Sequence, residues 1–119
     1  MSTTVGIRLP APGEDEQAPY TLVGRARAKP GQADALEARL LSLVAPTRAE
    51  EGALEYHVHR DRQDPDCFVF YEAWRTVGDL ERHLEQPYIR AFLAERMTYL
   101  AEDMDISWIE MRSGYGKAC

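Results

Sequence analysis

The chain has 119 residues, 45% of them hydrophobic and 29% charged, enough for one domain with a real but modest core. Its formal charge of −6, with Lys and Arg scattered rather than in runs, argues against a nucleic acid or an anionic membrane, either of which would want a basic patch. No apolar run approaches the ~20 residues of a membrane span or the core of a secretory signal, and two cysteines, Cys67 and Cys119, without a Cys-x-x-Cys predict a reduced cytoplasmic protein.

Residues 1–19 read as a flexible N-terminal arm, broken by Pro10, Pro12 and Pro19 and solvated by Glu14-Asp15-Glu16. Within it, Thr4 to Leu9 alternates in the manner of an edge strand added to a dimer. Tyr20 to Lys29 is the first strand, with Tyr20, Leu22, Gly24, Ala26 and Ala28 on one face and Thr21, Val23, Arg25 and Arg27 on the other. Pro30-Gly31 ends it. A helix follows on the stripe Ala33, Leu36, Leu40, Leu43 and Val44. Pro46 interrupts or restarts that helix, since it lacks an N–H and clashes with the preceding turn, and Gly52 closes the second piece as a C-cap. Residues 53–60 alternate as a second strand, with Leu54, Tyr56 and Val58 on one face and Glu55, His57 and His59 on the other.

The polar run from Asp61 to Asp66 is a hairpin loop. Cys67 to Arg75 is apolar on both faces and so reads as a central strand. Thr76 to Gln86 is a helix with Val77, Leu80 and Leu84 inward. Pro87 opens another as its first residue, with the stripe Ile89, Phe92, Leu93, Met97 and Leu100. Met104 to Arg112 is the last strand. The order β-α-β-β-α-β is that of the ferredoxin-like α+β fold: a four-stranded antiparallel sheet with helices on one face. The domain spans 20–112, and 113–119 form a C-terminal tail. The uncovered sheet face predicts an isologous homodimer.

Candidate site residues gather around the third strand. Phe68, Phe70, Glu72 and Trp74 share one face by the two-residue period. A carboxylate among aromatics is costly unless paired, so Glu72 is either a paired structural group or part of a site; Arg25, Arg27 or a histidine are the available partners. Trp74 ends the strand, where an indole offers a cleft an apolar wall and one N–H donor, although a core or interface Trp is the plainer reading. His83 borders the inward stripe of the next helix, and an imidazole titrates near neutrality and can take a substrate proton; a surface or satisfied core His is the alternative. His57 and His59 form a His-x-His pair, but a metal would need a third ligand from Asp61, Glu55 or His83, and no metal is expected. Tyr71 falls on the face opposite Trp74, toward an interface. Tyr88, Arg90 and Tyr99 are further pocket candidates. Phosphate-loop, dinucleotide, nucleophile-elbow and zinc-finger spacings are all absent from the sequence.

From Leu22 to Met111 the chain resembles the antibiotic biosynthesis monooxygenase family, within the dimeric α/β-barrel superfamily. The resemblance rests on Pro30-Gly31, on Glu51-Gly52-Ala53-Leu54-Glu55-Tyr56, on Asp64-Pro65-Asp66, on Phe68 to Trp74, on Leu80 to His83, and on Pro87-Tyr88 with Phe92. It implies a homodimer whose sheets form a barrel, with a cleft between sheet and helices in each subunit. It further implies oxidation of a small electron-rich aromatic, an anthrone or hydroquinone, to a quinone by O2 without metal or flavin. On that reading His83 is the base, Trp74 a wall and N–H donor, Glu72 the orienting group and His57 a reserve base. Phe70, Tyr88, Arg90, Phe92, Tyr99 and Arg25 would then contact substrate.

Two departures bear on this. The chain contains no asparagine, so a pocket Asn acting with the Trp cannot be carried over; four residues before Trp74 stands Phe70. The haem-degrading branch uses an Asn, Trp and His set, of which only Trp74 and His83 have counterparts, with Gly24 or Arg25 near the Asn position. Haem on His83, a non-catalytic ligand-binding dimer, and an isomerase drawing on Arg25, Arg27 and Arg90 are the competing expectations.

Overall fold

A computed structural model of the chain describes residues 7–115. Strand β1 (Tyr20–Arg27) leads to helices α1 (Ala33–Leu41) and α2 (Val44–Arg48), strands β2 (Ala53–Arg60) and β3 (Cys67–Trp74), helices α3 (Val77–Leu84) and α4 (Pro87–Glu95), a short 3-10 turn (Arg96–Thr98) and strand β4 (Asp105–Glu110). The four strands form one antiparallel sheet in the order β2-β3-β1-β4. β3 is thus an inner strand, as its apolar faces predict. The fold is the ferredoxin-like α+β arrangement. Among the described residues no helix is long and apolar enough to cross a membrane.

Register fixes what faces the helices. Leu22 lies opposite Glu72 of β3 and Trp108 of β4, and Gly24 lies opposite Phe70 and Ile106. Tyr56 lies opposite Glu72 on the other side of β3. Since alternate residues share a face, these side chains meet the helices, while Val23, Arg25, His57, Val69 and Tyr71 meet the open side. The core between the layers is built on fully buried Leu36, Phe68, Trp74, Leu80 and Leu100, each contributing about 1.5–3 kcal/mol by leaving water.

Four details depart from the sequence expectation. The break between α1 and α2 falls at Ser42 and Leu43, ahead of Pro46, which lies inside α2. Breaking there puts the proline in a first turn, where its missing N–H costs no bond. A register shift between Ala53 and Glu55 turns Leu54 outward to 41% exposure, because a bulge inserts one residue into the alternation. Met97 falls in the 3-10 turn after α4 has ended and is exposed, so it leaves the apolar stripe. Residues 7–12 are irregular, not a strand; the remainder of the expected Thr4–Leu9 segment lies outside the described residues, as does Cys119.

Candidate active site

Between the helices and the sheet lies a cavity of about 60 Å3, walled by apolar side chains that include Leu22, Val58, Phe70, Phe92 and Trp108. Four of its lining residues carry polar groups: Tyr56, Glu72, His83 and Trp108 through its indole N–H. Each is delivered by local structure. Glu72 and Tyr56 occupy helix-facing positions on neighbouring strands. His83 comes from α3, which Thr76 caps by accepting the Asp79 N–H at 3.1 Å. The spacing Leu80, His83, Leu84 then aims the imidazole inward with the leucines.

His83 is 3% exposed and held from three sides. Its Nδ1 lies 2.9 Å from Glu50 Oε2. The Trp74 ring tilts over it at a centroid distance of 4.6 Å, and the Tyr56 ring meets it edge-on at 5.8 Å. A carboxylate on Nδ1 assigns the proton to that nitrogen and leaves Nε2 as the basic one. The Tyr88 hydroxyl donates to the same Glu50 oxygen. Glu72 accepts the Trp74 indole N–H at 2.9 Å. Burial pushes the Glu72 carboxyl up from its ordinary value; His83 and the indole N–H pull it down, and Glu50 pushes it up further.

Burial also raises the Tyr56 phenol far above its usual range, with the Glu72 charge adding to the rise. It does the same to Tyr88, with its hydrogen bond to Glu50 next in weight. Both hydroxyls therefore stay protonated at neutral pH and act as donors. Thr47 is fully buried and lies close enough to both phenols to act on them. Its Oγ1 nevertheless makes no hydrogen bond of normal geometry.

Of the residues singled out from the sequence, Glu72, His83, Phe70 and Phe92 come together on the cavity. The others do not. Trp74 is fully buried beneath His83, and its N–H is consumed by Glu72. It packs against His83 instead of walling the cleft mouth, and Glu72 holds the indole instead of orienting the imidazole. His57 lies on the open face, opposite Tyr71, bonded to Glu55 at 2.6 Å and Arg48 at 3.1 Å, so it cannot serve as a reserve base. Arg25 pairs with Val69 on that same open face and is exposed.

Arg90 lies on the outer side of α4, paired with Glu85 at 3.1 Å, and Arg27 is paired with Asp64 at 2.5 Å. Arg25, Arg27 and Arg90 therefore do not converge on the cavity. Tyr88 reaches the site through Glu50, and the Tyr99 hydroxyl is directed to Glu95 at 3.3 Å. Sequence reasoning missed Glu50 and Tyr56. Tyr56 was visible as a helix-facing strand residue one strand from Glu72. Glu50 gave no signal: it sits in a turn, 33 positions from its partner.

Among the described residues no group of three or more His, Cys, Asp or Glu side chains could hold a metal ion. His83 is enclosed by Trp74, Tyr56 and Glu50.

Residues 19–95 match the family model described as antibiotic biosynthesis monooxygenase. The crystal structure of PA3566 from Pseudomonas aeruginosa is 38% identical, covers 81% of this chain and 96% of its own, and superposes with a TM-score of 0.76. The structure of Rv0793 from Mycobacterium tuberculosis, 23% identical, shares the fold with a TM-score of 0.78 over 83% of this chain and all of its own. The Bacillus subtilis protein named "Putative monooxygenase YcnE" is 26% identical over 71% of this chain and 90% of its own length. With a family match over most of its length, the chain belongs to the antibiotic biosynthesis monooxygenase family.

Proposed function

We propose that the chain is an oxidoreductase that oxidises a small electron-rich aromatic, of anthrone or hydroquinone type, with O2 as co-substrate and no resident metal or flavin. One observation carries the reading: a buried imidazole, fixed at Nδ1 by Glu50, borders an otherwise apolar cavity beside a buried carboxylate. Such an imidazole can take the proton of a phenol or an activated CH2, while the apolar walls exclude water. The resulting anion passes one electron to O2, and the radical pair recombines at carbon. Loss of water then turns the CH2 of an anthrone, or the attacked ring C–H of a hydroquinone, into a carbon–oxygen bond of the quinone product. For an anthrone the balance is CH2 plus O2 giving C=O plus H2O. The substrate supplies all four electrons, so no external reductant is required. The Tyr56 hydroxyl, kept protonated, is the donor available to the developing oxyanion.

The working unit in this reading is a homodimer that covers the open sheet face, where Val23, Val69 and Tyr71 are half-buried in the single chain. A binding dimer without turnover is the competing reading. It draws on the Trp74 N–H being satisfied internally. Oxygen uptake by chelator-treated protein with a panel of anthrones and hydroquinones decides between them. The expected result is uptake well above buffer autoxidation, with quinone formed, and a drop of ~10²-fold or more in folded His83→Gln. Equal uptake by wild type and variant would remove His83 from the mechanism. No uptake with any substrate would leave the binding dimer.

A further inference from the structure

We propose that Ile7, with the arm that carries it, is a displaceable wall that sets the size of aromatic the cavity admits. The proposal rests on the cavity being a ligand site, as read above, and not on the reaction performed there.

The cavity as it stands is about 60 Å3. An apolar cavity that holds benzene measures about 150 Å3. An aromatic ligand held fully between sheet and helices therefore needs a wall to move. Nearly all the walls belong to the sheet or the helices, and moving those would break strand ladders or the packed core. Leu43 and Met104 sit directly beside α2 and β4, whereas Ile7 belongs to no such element. It lines the cavity together with Met104, Ile106 and Trp108 at the β4 edge, yet it comes from an irregular segment preceding the family match, which begins at residue 19. Ile7 and Leu9 are half-buried and pack against the core, while Arg8 and Pro10 are exposed. Pro10 and Pro12 have no N–H to give. The segment is tethered by the Tyr20 hydroxyl, which donates to the Pro10 carbonyl at 2.5 Å. Lifting the arm uncovers two half-buried side chains and releases that bond, and it opens the cavity beside Trp108 without disturbing Glu72 or His83. A ligand that needs the open form binds more weakly by the fraction of time the arm is away.

Binding of aryl methanols with one, two and three fused rings tests this without turnover. Benzyl alcohol, 2-naphthylmethanol and 9-anthracenemethanol are titrated against wild type, Ile7→Ala, Tyr20→Phe and a chain lacking residues 1–10, using equilibrium dialysis and tryptophan fluorescence. Circular dichroism checks each fold. The two- and three-ring alcohols are expected to bind at least tenfold more tightly to Ile7→Ala and to the shortened chain, with less than threefold change for benzyl alcohol. Tyr20→Phe, which leaves the wall intact but loosens the tether, should shift the larger alcohols in the same direction by a few-fold. If the shortened chain does not fold, the two point variants carry the test. Binding that is independent of all these changes would overturn the arm as a wall and leave the proposed function standing. No binding to any variant would overturn both.

Discussion

Burial raises the Glu72 carboxyl above its ordinary value of 4.5, against the opposing pull of His83 and the Trp74 indole. A raised carboxyl favours its protonated form in the folded chain, so ionised Glu72 costs stability as pH climbs from the ordinary carboxylate range through the raised value. Glu72→Gln keeps an acceptor for the indole N–H and removes that cost. The variant should match wild type below about pH 4 and become the more stable of the two as pH rises to 7, as thermal melts across that range would show. Equal stability at pH 7 would mean the carboxylate is better compensated than its surroundings suggest. Glu50 makes a complementary case. Glu50→Gln can donate to Nδ1 as well as accept from it and so loosens the tautomer assignment. A fall of ~10–100-fold in kcat with little change in KM is expected for a group that orients a functional histidine, read from steady-state oxygen uptake. Trp74, Glu72 and His83 were legible because strand and helix periods place them without any knowledge of contacts. What the periods cannot supply is the direction of a hydrogen bond. The indole N–H turns to Glu72, and the imidazole turns to a glutamate in a turn whose proximity exists only after the helices dock.

At the scale of elements, two contacts hold the site's frame. Asp79 is fully buried at the start of α3, bonded to Arg75 at 2.9 and 3.0 Å, to Thr76 at 2.9 Å, and to Arg82. Gly52 makes room for it: its φ is +92°, and a Cβ there would overlap the Asp79 carboxyl. Arg75, above all, holds that carboxyl down at about 2. A depressed carboxyl stabilises the fold above its ordinary value of 3.8 and loses that contribution as pH falls through about 2. Asp79→Asn should therefore cost on the order of 2 kcal/mol at neutral pH, with the gap to wild type closing between about pH 4 and pH 2 in chemical denaturation. A gap of the same size at pH 2 would locate the loss in packing instead. Gly24 is the second contact. A Cβ there would fall inside the Phe70 ring, so the bare glycine is what lets that ring lie flat across β1. Gly24→Ala must drive the ring toward the cavity, at a cost of ~1–3 kcal/mol, and should weaken ligand binding. Adding Phe70→Leu should recover much of both losses, a coupling that a double-mutant cycle measures directly. Strand and helix order could be read from periodicity alone, whereas the Leu54 bulge and the early break before Pro46 could not. Each is a one-residue choice set by what the neighbouring element needs.

For the whole molecule the question is what covers the open face. Four strands about 4.8 Å apart and six to eight residues long present a flat face of roughly 400 Å2. A stable protein interface buries about 800 Å2 per partner. The face alone is therefore too small, and a dimer formed there must recruit further surface. The C-terminal segment is placed to supply it: the Tyr115 hydroxyl donates to Glu55 Oε2 at 3.0 Å, on the open side of β2. Charge does not forbid association, since Arg25 stands on this face among Val23, Val69 and Tyr71, although the chain carries −6 overall. An interface this close to its minimum size tolerates little. A carboxylate placed at its centre by Tyr71→Glu would replace apolar ring surface by a charge to be desolvated in both copies, related by the dimer axis. Light scattering coupled to size exclusion should therefore return twice the 13.5 kDa chain mass for wild type and the chain mass for Tyr71→Glu, with unchanged far-ultraviolet dichroism. The cavity lies on the other side of the sheet, so a monomeric Tyr71→Glu that still binds aryl methanols would show that each subunit holds a complete ligand site. If the wild type itself runs as a monomer at micromolar concentration, the barrel expected of paired sheets does not form.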